Sequence, residues 1–203
     1  MNNSQIFLRR LLTSDNVVTH INENMQNLLD VIPEISSMIG FEHKHPHHHL
    51  DVWQHTLSAL SFSPNNFDVR LSLLLHDIGK PFSYQEDGEI RHFKGHPAVS
   101  SDIANKILSR LEFPKDYIQY ICNIISHHDT PLTEIDISAD LNLSRTLFEV
   151  QKCDALAHNP KHNAKRLEYI ENTTKIFEKF ENSQEFVKIK KPWLSKFDFQ
   201  DFF

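Results

Sequence analysis

Residues 73–82 read LLLHDIGKPF: three leucines, then His76 and Asp77, then Ile-Gly-Lys-Pro. Val69, Leu73 and His76 recur at spacings of four and three, which predicts a helix whose inward stripe ends on His76. Gly79 and Pro81 stop that helix, so His76 and Asp77 are expected in its last turn. A carboxylate at the buried end of an apolar run needs a partner, because leaving it unpaired is costly. Any partners must come from elsewhere in the chain.

Upstream, Val52, His55, Ala59 and Phe62 recur at three- and four-residue steps, so 51–62 reads as a helix with His55 facing inward. Downstream, 83–94 is polar around Asp87-Gly88 and is either a small hairpin or a loop. Pro97 suits the first turn of a helix carrying Val99, Ile103, Ile107 and Leu111 on one stripe. Pro114 opens another, with Ile118, Ile121, Cys122 and Ile125 inward, running into SHHDT at 126–130. Over 141–157, Leu143, Leu147, Val150, Asp154 and Ala157 share a face, which puts a second carboxylate on an apolar stripe. Residues 161–181 predict a last helix through Leu167, Ile170 and Phe177. With no clear period-2 strand and only 4 glycines in 203 residues, against a norm of about 7%, the fold class is all-α, a single-domain helical bundle.

A formal net charge of −6 argues against a generic nucleic-acid or membrane surface, and Lys188, Lys190 and Lys191 read as a solvated tail. No run approaches the roughly 18 apolar residues of a membrane span, and the start of the chain lacks a signal-peptide pattern, so a soluble cytoplasmic protein is expected. Cys122 and Cys153 fit reduced core thiols.

The inward or helix-terminal polar residues are, in order, His55, His76, Asp77, His96, His127, His128 and Asp154, all metal-ligand types, brought by several helices. A bundle core can gather such groups, and imidazole with carboxylate but no thiolate suits Mn, Fe, Co, Ni or Zn, with Mg also admissible. His43, His45, His47, His48 and His49 sit in a Pro-containing loop and are expected to be exposed polar residues.

The order His, His-Asp, His, His-His, Asp resembles the HD-domain metal-dependent phosphohydrolase superfamily. The stretches IPEISSMIGFEHKHPHHHLDVWQHTLSAL, LLLHDIGKP, DGEIRHFKGHPAVSSDIANKILSRLEFP and SHHD are similar to the HD domain that follows the catalytic head in bacterial CCA-adding tRNA nucleotidyltransferases. The resemblance implies an HD domain over 32–160, preceded by a helical extension over 1–31 and followed by a helix and tail over 161–203 packing on the same domain. No Gly-rich, paired-carboxylate nucleotide site precedes it, so CCA transfer is not expected. The resemblance further implies that His55, His76, Asp77 and Asp154 hold a first divalent metal, and that His96, His127 and His128 hold a second one bridged by Asp77.

A cation of this kind brings the pKa of a bound water toward neutrality, so it can supply hydroxide for attack on phosphorus. Lys80 resembles the superfamily lysine that meets a substrate phosphate. Asp51, four residues before His55, either orients a ligand or relays a proton, or is simply the helix N-cap. The expected substrate is a small phosphoester, a nucleotide or 2′,3′-cyclic nucleotide by resemblance; tRNA is a weaker candidate on charge grounds. The alternatives are a di-iron oxygenase and a non-catalytic RNA-binding or regulatory module.

Overall fold

The computed structural model describes residues 1–182. In chain order these form α1 (Asn3–Leu12), α2 (Val17–Glu23), α3 (Met25–Val31), a 3₁₀ turn (Pro33–Ser37), α4 (Val52–Ser61), α5 (Phe67–Leu75), the short α6 (Lys80–Ser83), a hairpin of β1 (Gln85–Asp87) and β2 (Ile90–His92), α7 (His96–Arg110), α8 (Lys115–His127), α9 (Glu134–Ala139), α10 (Leu141–Ala157) and α11 (Ala164–Asn182). The fold is all-α. The polar stretch after α6 takes the hairpin alternative, turning at Gly88, whose φ of +62° a residue with a Cβ rarely adopts. The tail lysines lie outside the described residues.

Helix α5 is the axis of the bundle. Asn66 caps it, accepting from the backbone N–H groups of Asp68 and Val69, and every residue from Phe67 to Leu75 except Asp68 is buried. A helix buried on all sides belongs at the centre, and α4, α8 and α10 pack around it. Its one buried cation, Arg70, donates from Nη1 to the carbonyls of Leu12 and Ser14 at 2.8 Å each, satisfying the C-terminal end of α1. Leu8, Leu11, Leu12, Val17, Ile21 and Leu28 of α1–α3 join the same core. A smaller cluster of Ile137, Phe148 and Phe177 seats α11 on α9 and α10.

Two inward assignments fail. Phe62 is the C-cap of α4 and 48% exposed, because the buried stripe ends at Leu60. Leu167 is 41% exposed, whereas Phe177 of the same expected stripe is buried, joined by Thr173.

One close approach positions the site. Helix α5 ends at Leu75, so His76 is its C-cap and Asp77 lies just past it, a residue or two beyond the expected last turn. The following Gly79 donates its N–H to Ser100 Oγ at 2.9 Å; a Cβ there would lie 2.5 Å from Ser100 N and 2.9 Å from the His96 carbonyl oxygen. The missing side chain lets the His76–Asp77 turn press against the first turn of α7, which begins with His96.

Candidate metal centre

Five segments each bring one or two donors: α4 supplies His55, the end of α5 His76 and Asp77, the start of α7 His96, the end of α8 His128, and α10 Asp154. All six are buried, and they fall into two groups that share Asp77. His55, His76, Asp77 and Asp154 form one, with their donor atoms within 4.8 Å of one another; Asp77, His96 and His128 form the other.

Asp77 divides its oxygens between the groups. Oδ2 lies 3.3 Å from His76 Nε2 and 3.6 Å from His55 Nε2, while Oδ1 lies 3.2 Å from His96 Nε2 and 3.7 Å from His128 Nε2. His55 Nε2 also reaches Asp154 Oδ1 at 2.8 Å.

The tautomers are set by one device used three times. His76, His96 and His128 each donate Nδ1–H to the carbonyl three residues earlier, at Leu73 (2.7 Å), Phe93 (2.9 Å) and Ile125 (2.7 Å). That leaves each Nε2 as the free face of the ring, as metal-binding imidazoles require. His76 Nε2 and Asp77 Oδ1 are buried without a hydrogen-bond partner, a state that costs about 1–3 kcal/mol per group. His96 Nε2 and His128 Nε2 face each other across 3.1 Å, where two lone pairs repel unless a proton or cation stands beside them. Orphaned acceptors, opposed lone pairs and an imidazole–carboxylate donor set all fit divalent metal.

The electrostatics agree. Burial alone would raise Asp77, but His76 and Lys80 hold its carboxyl well below the usual range. Burial likewise opposes ionisation of Asp154, and His158, His55 and His76 outweigh it. Burial lowers the pKa of His76, yet Asp77 and Asp154 raise it to about 10, so the two carboxylates draw positive charge to this point. A metal there would take the place of that proton.

The other expected site residues are placed differently. His127 is exposed, its Nδ1 2.9 Å from the Asn123 carbonyl on its own helix, and it joins neither group. Adjacent residues on a helix point about 100° apart. With His128 turned inward, His127 faces away. Asp51 is the N-cap of α4: Oδ1 accepts from Gln54 N at 2.7 Å and Oδ2 from Gly40 N at 3.3 Å. Lys80 is 4% exposed, and its Nζ donates to Asp77 Oδ2 at 2.7 Å.

The histidine loop meets its expected exposure at His47 and His49, but His45 and His48 are half-buried and His43 is buried. The Glu42–Asp51 bridge folds the loop back on α4, and His43, 1% exposed, donates Nδ1–H to the Leu50 carbonyl. His43 stacks on His48 at 3.8 Å, and His48 meets the ring of His158 at 4.5 Å. Burial, then the nearby Lys80, holds both His43 and His48 well below the usual histidine range, His43 at about 2. Sequence reading also missed His158, Asp129 and Arg166. His158 carries a signal, lying four residues after Asp154; the others do not.

These groups open on a cleft of about 260 Å³, lined by His45, His48, His92, His158 and Asp129 and by the cations Lys80, Arg91, Lys94 and Arg166. Asp77, Asp129 and Asp154 line the same cleft, so its four cations largely offset three carboxylates, in a chain whose net charge is −6. No helix among the described residues is long and apolar enough to cross a membrane.

A model of the HD domain family matches residues 47–179. Similar curated proteins include the CC-adding tRNA nucleotidyltransferase of Thermus thermophilus, 34% identical over 110 residues that cover 51% of this chain and 25% of that protein. The A-adding tRNA nucleotidyltransferase of Deinococcus radiodurans is 32% identical over 45% of this chain and 23% of its own length. The multifunctional CCA protein of Hahella chejuensis is 26% identical over 63% of this chain and 30% of its own. The matched stretch thus spans from 23% to 30% of the length of these three relatives.

Proposed function

Because the chain belongs to the HD domain family, we propose that it is a metal-dependent phosphohydrolase acting on a small phosphoester, of the nucleotide or 2′,3′-cyclic nucleotide class. The observation that carries this reading is the pair of ligand groups sharing Asp77 at the floor of a cation-lined cleft. Relatives named as tRNA nucleotidyltransferases support a nucleotide-class substrate over other phosphoesters.

His55, His76, Asp77 and Asp154 would hold one ion, and Asp77, His96 and His128 a second. When bound, such cations supply Lewis acidity and a water acidified toward neutrality. The side chains do the rest. The backbone-anchored imidazoles keep their Nε2 atoms aimed without reorganising, and Lys80 keeps the shared carboxylate ionised. The cleft cations balance the charge that gathers on phosphoryl oxygens.

The test is metal analysis of the purified protein followed by a panel of mononucleotides and 2′,3′-cyclic nucleotides, with Mn, Fe, Co, Ni, Zn or Mg supplied in turn. Metal-dependent release of phosphate, or opening of the cyclic phosphate, is expected. Two irons per chain with oxygen uptake and no phosphoester turnover would replace this reading with the oxygenase.

A further inference from the structure

We propose that Arg166 is the side chain that receives the substrate's phosphoryl oxygens. This deepens the phosphohydrolase reading and rests on it for the nature of the ligand. A cation serving this purpose must face the ligand carboxylates, reach solvent and keep its donors uncommitted. Lys80 fails the last two conditions, being 4% exposed with Nζ at 2.7 Å from Asp77 Oδ2 and 3.2 Å from His43 Nε2. Arg91 donates from Nε to Glu86 at 2.9 Å and from Nη1 to the Glu42 carbonyl at 2.7 Å, with its guanidinium over the rings of Phe41 and Tyr84. Lys94 is exposed on the rim and forms no ion pair with either metal-ligating carboxylate.

Arg166 meets all three. Its side chain is 41% exposed, and Nη1 stands 3.7 Å from Oδ2 of the ligand Asp154 and 3.7 Å from Oδ1 of Asp129. Both distances exceed hydrogen-bond reach, so the carboxylates orient the guanidinium without occupying its donors. Its side chain makes no hydrogen bond among the described residues, leaving a planar fork of five N–H groups, the geometry that takes two phosphoryl oxygens at once.

Its location is fixed as well. Asn159, in the turn before α11, donates its backbone N–H to the His47 carbonyl at 2.9 Å and its Nδ2 to the Pro46 carbonyl at 3.0 Å. His47 Nδ1 returns a bond to the His162 carbonyl at 3.1 Å. The histidine loop and the α10–α11 turn are thereby stapled together, and the first turn of α11 stays over the cleft. Arg166 also lines a second, adjoining cavity with Lys165 and Tyr169, so it stands on the ridge where a phosphoester would continue outward.

The experiment titrates the Mn-loaded full chain with inorganic phosphate by calorimetry, and measures metal content in parallel, for the parent, Arg166→Ala, Arg166→Lys and Lys175→Ala. Arg166→Ala should keep its metal and weaken phosphate binding about ten- to a hundredfold, the scale of a charged hydrogen-bonded contact. Arg166→Lys should fall between, keeping charge without the fork. Lys175→Ala, an equal charge change farther along the same helix, should match the parent. Phosphate affinity in Arg166→Ala within twofold of the parent would overturn the assignment, as would loss of metal, which would make Arg166 a support for the metal site. A parent that binds no phosphate overturns it too. An Arg166-dependent phosphate site in a protein that hydrolyses no phosphoester would sustain this inference while removing the phosphohydrolase reading.

Discussion

His43 Nε2 accepts from Lys80 Nζ at 3.2 Å, and the same ammonium donates to Asp77 Oδ2 at 2.7 Å. Since His43 gives its Nδ1–H to Leu50, its Nε2 is the acceptor, and the loop histidine holds the lysine against the shared carboxylate. Lys80 therefore joins His76 as a counter-charge of Asp77 in the metal-free protein. Lys80→Met keeps the stem and deletes the charge, and because His76 still faces the carboxylate the cost should fall below the roughly 3–5 kcal/mol of a buried charge left with no partner. In chelator, urea unfolding should show most of that loss; with saturating Mn the deficit should shrink, because the cations restore positive charge at Asp77. An equal loss in both conditions would show that Lys80 matters for packing alone.

Metal stoichiometry separates two neighbours. His128→Ala removes a donor from the second group, while His127→Ala removes an exposed ring bonded to its own helix. Equilibrium dialysis with elemental analysis should find one ion fewer in His128→Ala than in the parent, an unchanged count in His127→Ala, and neither site retained in Asp77→Ala. A deficit in His127→Ala equal to that of His128→Ala would contradict the geometry.

How much of this was legible beforehand depends on periodicity. The helices carrying His55, His76, His96, His128 and Asp154 are long stripes with recognisable stops, so their inward donors could be named from spacing. Periodicity does choose between His127 and His128: the stripe Ile118, Ile121, Ile125 continues at a step of three to His128, whereas His127, two residues after Ile125, falls off it, and its expected role comes from the resemblance alone. It does not apply to the buried His43 and the half-buried His48, which a bridge between Glu42 and Asp51 that no local pattern encodes folds back on α4. Arg166 sits in a polar stretch, AKRLEYIEN, that reads as a solvated face; only the folding of α11 across the cleft gives it a role.

The alkaline limb of stability should report Tyr117 and Tyr120. Burial pushes Tyr120 up to about 12 and Tyr117 well above its ordinary value, the latter reinforced by donation to Asp68 Oδ1 at 2.6 Å. A folded-state pKa above the unfolded value of about 10 contributes stability that is whole below pH 10 and is lost as pH rises through 12. Absorbance titration of tyrosinate should therefore show these two rings silent near pH 10 in the native protein and ionising normally in urea. If the double variant Tyr117→Phe, Tyr120→Phe lost native signal between pH 10 and 11, the rings would be titrating freely and the argument would fail.

Gly79→Ala probes whether the site depends on contact between two segments. Its φ of −84° suits any residue, so the substitution meets no backbone strain. The obstacle is steric: the new methyl would fall 2.5 Å from Ser100 N and 2.9 Å from the His96 carbonyl oxygen, both backbone atoms that cannot rotate aside. Relief requires the turn bearing His76 and Asp77 to move off the first turn of α7, which bears His96. Overpacking of this kind costs about 1–3 kcal/mol. The same displacement lengthens the 3.2 Å approach of Asp77 Oδ1 to His96 Nε2, so the second metal group should suffer more than the first. Calorimetric titration with Mn should show one of two binding events weakened in Gly79→Ala and the other close to the parent. A variant destabilised as expected but with both events unchanged would mean that the two segments need not touch for the donors to converge.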